Sequence, residues 1–373
     1  MAHSPLSALA RCLLGCWLCL LPGWSLARPS LSFFCEVPGE AFLSYCEDSS
    51  LLQTLRHLDA SVRVGLLDLS QARAEGIRRL NAAGIPVVAW LLLPEAEGYW
   101  LHAQNGAAAL SRYERFRRWT EEHELRWEGV GLDLEPPIQY LHEASEAPWR
   151  SAWQGYLRLF TPAPAFAPEG AYARLLAQIR DDGYPIETYL FPPILDERAT
   201  GTHSFQRLSG ILDIPAALEI PMCYTSSGYL SPAMILSYGE DRPAIALGST
   251  GGGPALLHGA PMPAMSWADL RRDLLLAQQV CQDIHLYSLE GCVAQEYLDS
   301  LRYFDWQQPV ALYSGEIQQV AETRAQLGWA LRLLDYPVAL SVVVLLLLGA
   351  LLWGLFALIS WPVRTLRQLT REG

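Results

Sequence analysis

Glu128-Gly129-Val130-Gly131-Leu132-Asp133-Leu134-Glu135-Pro136-Pro137 is an apolar run that ends in two carboxylates and two prolines. Side chains alternate across a strand, so Gly131, Asp133 and Glu135 share one face while Val130, Leu132 and Leu134 share the other. The apolar face suits packing beneath helices; the acidic face needs an opening. Pro136 and Pro137 end the strand, because neither can donate to a ladder. The carboxylates therefore fall at a strand's C-terminal tip. Two carboxylates facing one space are costly to ionise together, so one tends to hold a proton near neutral pH, as a general acid must.

Outward from this stretch, short β-rich runs alternate with longer amphipathic ones. Strands are expected at residues 31–36, 62–68, 85–93, 129–135, 186–191, 217–224, 244–248 and 284–289. Helical patterns lie between them, for example at 71–83, 107–124, 171–182 and 267–281. Such a rhythm predicts an α/β chain with a parallel sheet and helical crossovers. Eight units over roughly 270 residues fit a closed (β/α)8 TIM barrel better than a doubly wound sheet. The run from Gly248 to Gly253 follows a strand but lacks a Walker Lys and meets Pro254, so it reads as a flexible rim loop. After the eighth strand, residues 293–303 predict a closing helix. Ile317, Val320, Leu327, Leu331 and Leu334 then recur at three- and four-residue steps, with one longer gap bridged by Arg324. That pattern predicts a helix that either leads towards a membrane or packs on the barrel as a satellite.

The two ends set the expected location. Of 373 residues, 51% are apolar, and part of that excess is terminal. Residues 1–27 carry Arg11, an apolar core at 12–21 and Ser25-Leu26-Ala27, which reads as a secretory signal peptide cleaved after Ala27. Residues 338–361 are 24 positions without a charge, enough to cross a ~30 Å hydrocarbon core. Trp353 and Trp361 suit the interfaces, and Arg364, Arg367 and Arg371 put the C-terminus in the cytoplasm. The expected organisation is a signal peptide at 1–27, a barrel at 28–305, a juxtamembrane linker or helix at 306–336, a transmembrane helix at 337–361 and a basic tail at 362–373. The protein is then single-pass, with its barrel periplasmic or extracellular.

The formal net charge is −12, and every basic residue apart from histidine is Arg. An acidic exterior argues against nucleic acid as a partner. Of eight cysteines, Cys12, Cys16 and Cys19 leave with the leader. Among the remaining five, Cys35 with Cys46 or with Cys292 is the expected disulfide, and Cys281 with Cys292 is disfavoured by the extended run between them. Nothing has metal-ligand spacing, and no metal or organic cofactor is expected.

In a (β/α)8 barrel the working residues sit at the C-terminal strand tips. Those tips carry Asp68, Trp90, Asp133 with Glu135, the run Pro221-Met222-Cys223-Tyr224-Thr225, and the run Leu286-Tyr287-Ser288-Leu289-Glu290. On Asp133, Glu135, Met222 and Tyr224 the chain resembles the chitinase-like family 18 glycoside hydrolases. That family has Asp-x-x-Asp-x-Asp-x-Glu on strand four and Met-x-Tyr followed by Asp or Asn on strand six. Here Glu128 and Gly131 stand at the first two Asp positions, Thr225 replaces the Asp or Asn, and Tyr287 stands where the family presents Trp. The resemblance implies Glu135 as proton donor, with Asp133 and Tyr224 orienting the substrate.

The residues alone also fit glycoside chemistry, which takes a proton donor and a second carboxylate; Asp133, Glu290 and Asp68 are the candidates for the second. Trp90, Tyr99, Trp100, Tyr140, Tyr224, Tyr229 and Tyr287 are rim aromatics suited to stacking on sugars. The expectation is a membrane-anchored hydrolase of glycosidic bonds acting on a polysaccharide or glycan. Its catalytic residues are Glu135, Asp133 and Tyr224, and its substrate-binding residues are Asp68, Trp90, Tyr287 and Glu290. The alternative is a catalytically inactive barrel that binds glycan or joins envelope protein partners.

Overall fold

The structure, a computed structural model, describes residues 28–162, 170–227, 231–253, 263–310, 312 and 314–369. The expected signal peptide, Tyr229 and Arg371 lie outside the described residues.

The strands are β1 (Ser30–Cys35), β2 (Ser61–Gly65), β3 (Val87–Leu91), β4 (Gly129–Leu134), β5 (Ile186–Leu190), β6 (Leu218–Pro221), β7 (Ala244–Gly248) and β8 (Asp283–Tyr287). Between β1 and β4 lie α1 (Gly39–Glu47), α2 (Ser49–His57), α3 (Gln71–Ala82) and α4 (Gly106–Glu122). From β4 to β6 follow α5 (Ile138–Glu146), α6 (Pro148–Arg158), α7 (Ala171–Asp181), α8 (Pro193–Thr200) and α9 (Ser204–Ser209). The remainder are α10 (Ala233–Gly239), α11 (Trp267–Ala277), α12 (Leu289–Ala294), α13 (Tyr297–Arg302), α14 (Ser314–Leu334) and α15 (Pro337–Leu369).

All eight strands are parallel, in the order β6-β5-β4-β3-β2-β1-β8-β7. Only β6 and β7 lack a full ladder, and a parallel bridge between Met222 and Ala246, with Cys223 N–H donating to Ala246 O at 2.8 Å, nearly closes the ring. This is the (β/α)8 barrel that the alternation implied. The strand period sorts the core into two. Leu31, Phe33, Ala89, Leu91, Val130, Leu132, Ile245 and Leu247 pack outward beneath the helices. Phe34, Trp90, Leu92, Tyr189, Ile220, Met222, Ala244 and Ala246 fill the interior. Burial of each large apolar side chain is worth ~1.5–3 kcal/mol, which is why the register is fixed: a slip of one residue would exchange the two sets.

Helix starts follow local chemistry. The Ser70 hydroxyl accepts from Arg73 N–H at the head of α3, and Asp48 caps α2 through Ser50 N–H at 2.8 Å. The segment predicted as one closing helix is two, α12 and α13, broken around Glu296, whose φ of 57° is left-handed. The rim loop is not free along its first half: Thr250 N–H donates to Tyr287 O at 2.7 Å and its hydroxyl to Ser288 O at 2.9 Å.

α14 packs on the barrel as a satellite. Arg324 Nε donates to Asp196 Oδ1 at 2.7 Å, and its guanidinium lies 4.2 Å from the Tyr238 ring centroid. Val320, Gly328 and Leu331 are buried, whereas the predicted Ile317 is exposed. α15 includes the stretch Pro337–Ile359, which is long and apolar enough to cross a membrane.

The expected disulfide is not formed. Cys35, Cys46, Cys223, Cys281 and Cys292 are all free and buried. Each sits in the apolar layer beneath the helices, where burial raises every thiol, to about 12 for Cys46, Cys281 and Cys292.

Candidate active site

The C-terminal ends of β1, β3, β4, β6 and β8 bring Glu36, Trp90, Asp133, Glu135, Tyr224 and Tyr287 together at one mouth. Trp90 Nε1 donates to Asp133 Oδ2 at 3.1 Å. The other oxygen, Asp133 Oδ1, is buried without an N–H or O–H donor among the described residues. Burial and the charge of Glu36 push Asp133 well above the usual carboxylate range, opposed by its bonds from Trp90 and Glu135. Burial, the charges of Asp133 and Glu36, and the bond to Asp133 push Glu135 up as well. Two buried carboxyls that interact this strongly lose their protons as a pair. Asp133 is fully enclosed, while Glu135 keeps part of its surface open.

Glu36 was missed in the sequence. It follows β1 as Glu135 follows β4, a carboxylate at the end of an apolar strand, and that position was the available signal. Tyr287 O–H donates to Glu36 Oε2 and Tyr99 O–H to Oε1. Burial raises the Glu36 pKa, and the two phenols moderate the rise by solvating the anion. Tyr99 reaches Glu36 from the loop after β3, in a left-handed conformation at φ 62°. Its carbonyl accepts from Leu93 N–H at 2.8 Å, which holds that turn. Tyr224 stacks on Tyr287 with centroids 5.7 Å apart at 24°. Below them Phe34 meets Trp90 edge to face at 5.2 Å, flooring the mouth.

Of the expected substrate-binding residues, Trp90 and Tyr287 are walls of this mouth. Glu290 stands beside it and accepts Glu36 N–H at 3.3 Å, with its pKa raised by burial. Asp68 is held elsewhere. It accepts from Gly39 N–H at 3.0 Å and from the buried Arg73 at 2.8 Å. Burial alone would raise Asp68, but the bonds from Arg73 and Ser70 win and hold it well below the usual range. Tyr140 is covered by Arg158, 4.0 Å from its ring centroid.

Deeper in the barrel, Arg63 forms a bidentate pair with Glu187, both bonds at 3.0 Å, and Tyr189 O–H donates to the same carboxylate at 2.6 Å. His285 beside it is driven neutral by burial and by Arg63. A groove of about 460 Å³ lined by Trp267, Arg271, Asp299 and Tyr303 touches none of the mouth groups. Among the described residues no group of three or more His, Cys, Asp or Glu is placed to hold a metal ion.

No protein-family model matches the chain, and no curated protein does. Solved structures similar to it include an aldo-keto reductase of the silkworm Bombyx mori, at 12% identity and TM-score 0.40, covering 79% of this chain and 83% of that one. The same silkworm enzyme complexed with NADPH matches at the same identity and TM-score. A Pseudomonas aeruginosa chain described as an aldo-keto reductase matches at 9% identity and TM-score 0.38, covering 73% of this chain and 89% of that one. At these scores the likeness carries nothing from those proteins to this chain.

No family model or curated protein supports the resemblance to family 18 glycoside hydrolases, and the solved structures named above are aldo-keto reductases; the resemblance is corrected, and with it the expectation of a hydrolase of glycosidic bonds. The mouth supplies the physical reason. A Cβ on Gly131, where the family has its inner Asp, would lie 2.0 Å from the Tyr189 hydroxyl, so Tyr189 fills that place. Thr225, at the Asp or Asn position, donates its hydroxyl to Asp273 beneath the rim. Two short motifs matched in letters while the side chains around them build a different site.

Proposed function

We propose that the barrel mouth is an acid–base site that transfers a proton to or from an oxygen-bearing, uncharged ligand. Glu135 is the donor, Asp133 its proton-sharing partner, and Tyr224 with Tyr287 the stacking wall. The observation that carries this reading is the orphaned Asp133 Oδ1 facing a carboxyl of raised pKa. A protonated carboxyl held in a low-dielectric pocket at neutral pH is what general-acid chemistry requires. An uncharged ligand is favoured because Glu36, Asp133 and Glu290 line the space and would repel an anion. The proposal extends to location: α15 crosses a membrane, and Arg364, Arg367 and Arg371 leave the barrel on the non-cytoplasmic side.

The test uses the full-length protein in lipid nanodiscs, in D2O, with a panel of small uncharged ketones, aldehydes, lactones and polyols. Deuterium uptake and rearranged products are followed by mass spectrometry, beside Glu135→Gln and Asp133→Asn. The expected result is turnover that falls by about 10²-fold or more in Glu135→Gln. Turnover that needs NADPH and is indifferent to Glu135→Gln would overturn the reading in favour of a reductase.

A further inference from the structure

The segment inserted after Glu135 carries an apolar face that nothing in the barrel covers. On α6 and the turn beyond it, Trp149 is 71% exposed, Trp153 57%, Leu157 48% and Phe160 47%. At 100° per residue these four fall within an arc of about 80° on one side. The opposite side holds the helix to the protein: Gly155 is buried against Leu208, and Arg158 Nε donates to Leu208 O at 3.1 Å. Tyr156, half-buried at the edge of the stripe, packs its ring against Trp153 and Phe160, and its hydroxyl meets Ser341 Oγ at 2.5 Å, in the first two turns of α15. The stripe is therefore continuous with the apolar surface of the membrane-crossing helix.

A second stripe sits beside the same helix start. Trp329, Leu333 and Tyr336 recur at four- and three-residue steps along the end of α14 and just past it, and all three are exposed. Trp and Tyr are the residues enriched at the level of lipid headgroups, where an apolar ring body and a polar edge are both satisfied.

We infer that α6 lies in the bilayer interface, with Trp149, Trp153, Leu157 and Phe160 inserted among the lipid headgroups and upper acyl chains. This rests on reading α15 as a membrane span. An amphipathic helix in that setting buries its apolar face ~5–10 Å into the headgroup boundary. Because α5 and α6 follow directly from Glu135-Pro136-Pro137, such docking fixes the β4 rim of the mouth next to the membrane surface. α6 is thus a second attachment point, separate from the span in sequence.

The experiment places a photo-reactive benzophenone side chain at position 153, 346 or 122 of the full-length protein in phosphatidylcholine nanodiscs and identifies adducts by mass spectrometry. Position 346 lies in the span, and position 122 is exposed at the end of α4. Lipid adducts at 153 comparable to those at 346, with none at 122, are expected. Adducts at 346 without adducts at 153 would overturn the docking of α6 while leaving the span intact. No adducts at either position would remove the span and the proposal with it. Chain-to-chain adducts from 153 in place of lipid would also overturn it, assigning the stripe to a second copy.

Discussion

Gly131 and Tyr189 decide what the mouth can hold. The Tyr189 hydroxyl occupies the volume of any side chain at 131, and Tyr189 is itself committed to Glu187. Gly131→Ala should therefore lower stability by about 2–4 kcal/mol, as overpacking of a rigid interior does. Chemical denaturation of Gly131→Ala beside Gly131→Ala/Tyr189→Leu checks this; the double variant should be less destabilised than the sum of its parts. The Asp133 and Glu135 pair gives a second prediction. Both folded pKa values are raised, so the folded state binds their proton more tightly than the unfolded chain does. That stability is fully present below the unfolded carboxylate range and is lost as pH rises through the folded pKa. Asp133→Asn should consequently gain stability relative to wild type as pH rises from 5 to 8, at up to about 1.4 kcal/mol per pH unit while the folded state keeps a proton that the unfolded chain has lost. Melting curves across that range measure it, and a constant difference would count against the pair. The placement of Asp133, Glu135, Tyr224 and Tyr287 at the mouth was legible because each stands near a strand's C-terminal end. Glu36 was not gathered, since its partnership with Tyr287 depends on β1 closing against β8 from the far end of the chain. The partners of Asp68 were not legible, because only the fold brings Arg73 and Gly39 onto its oxygens.

At the scale of elements, the strands were legible to within a few residues, with β7 matched at both ends, since apolar alternation and Pro or Gly punctuation act locally. α14 was harder. Its sequence showed a gap in the apolar period at Arg324, and that Arg is an anchor, bonded to Asp196 and Ser237 and laid over Tyr238. A charged residue that docks a helix through a buried carboxylate leaves no trace in a hydrophobic period. Arg324→Met should release α14, because Asp196 would be left buried without its cation, an effect of about 3–5 kcal/mol on docking. Amide hydrogen exchange is the readout: protection should fall along α14 and α8 while β1 to β5 stay protected. Unchanged protection in α14 would show that Val320 and Leu331 suffice.

Over the whole molecule, a nearly closed barrel encloses a polar floor at Arg63 and Glu187, an aromatic middle at Phe34, Trp90 and Tyr189, and an acidic mouth. The letters of two motifs suggested a known chemistry for that mouth, whereas the packing around them puts Tyr189 against Gly131 and holds the Glu36 carboxylate between two phenols. The most direct test is infrared difference spectroscopy of the full-length protein in nanodiscs at pH 7, wild type against Glu135→Gln and against Asp133→Asn. Wild type should show a protonated carboxyl band that disappears in Glu135→Gln and shifts in Asp133→Asn. A wild-type spectrum in which Glu135→Gln removes only an ionised carboxylate band would contradict it, because the mouth would then hold no proton to give.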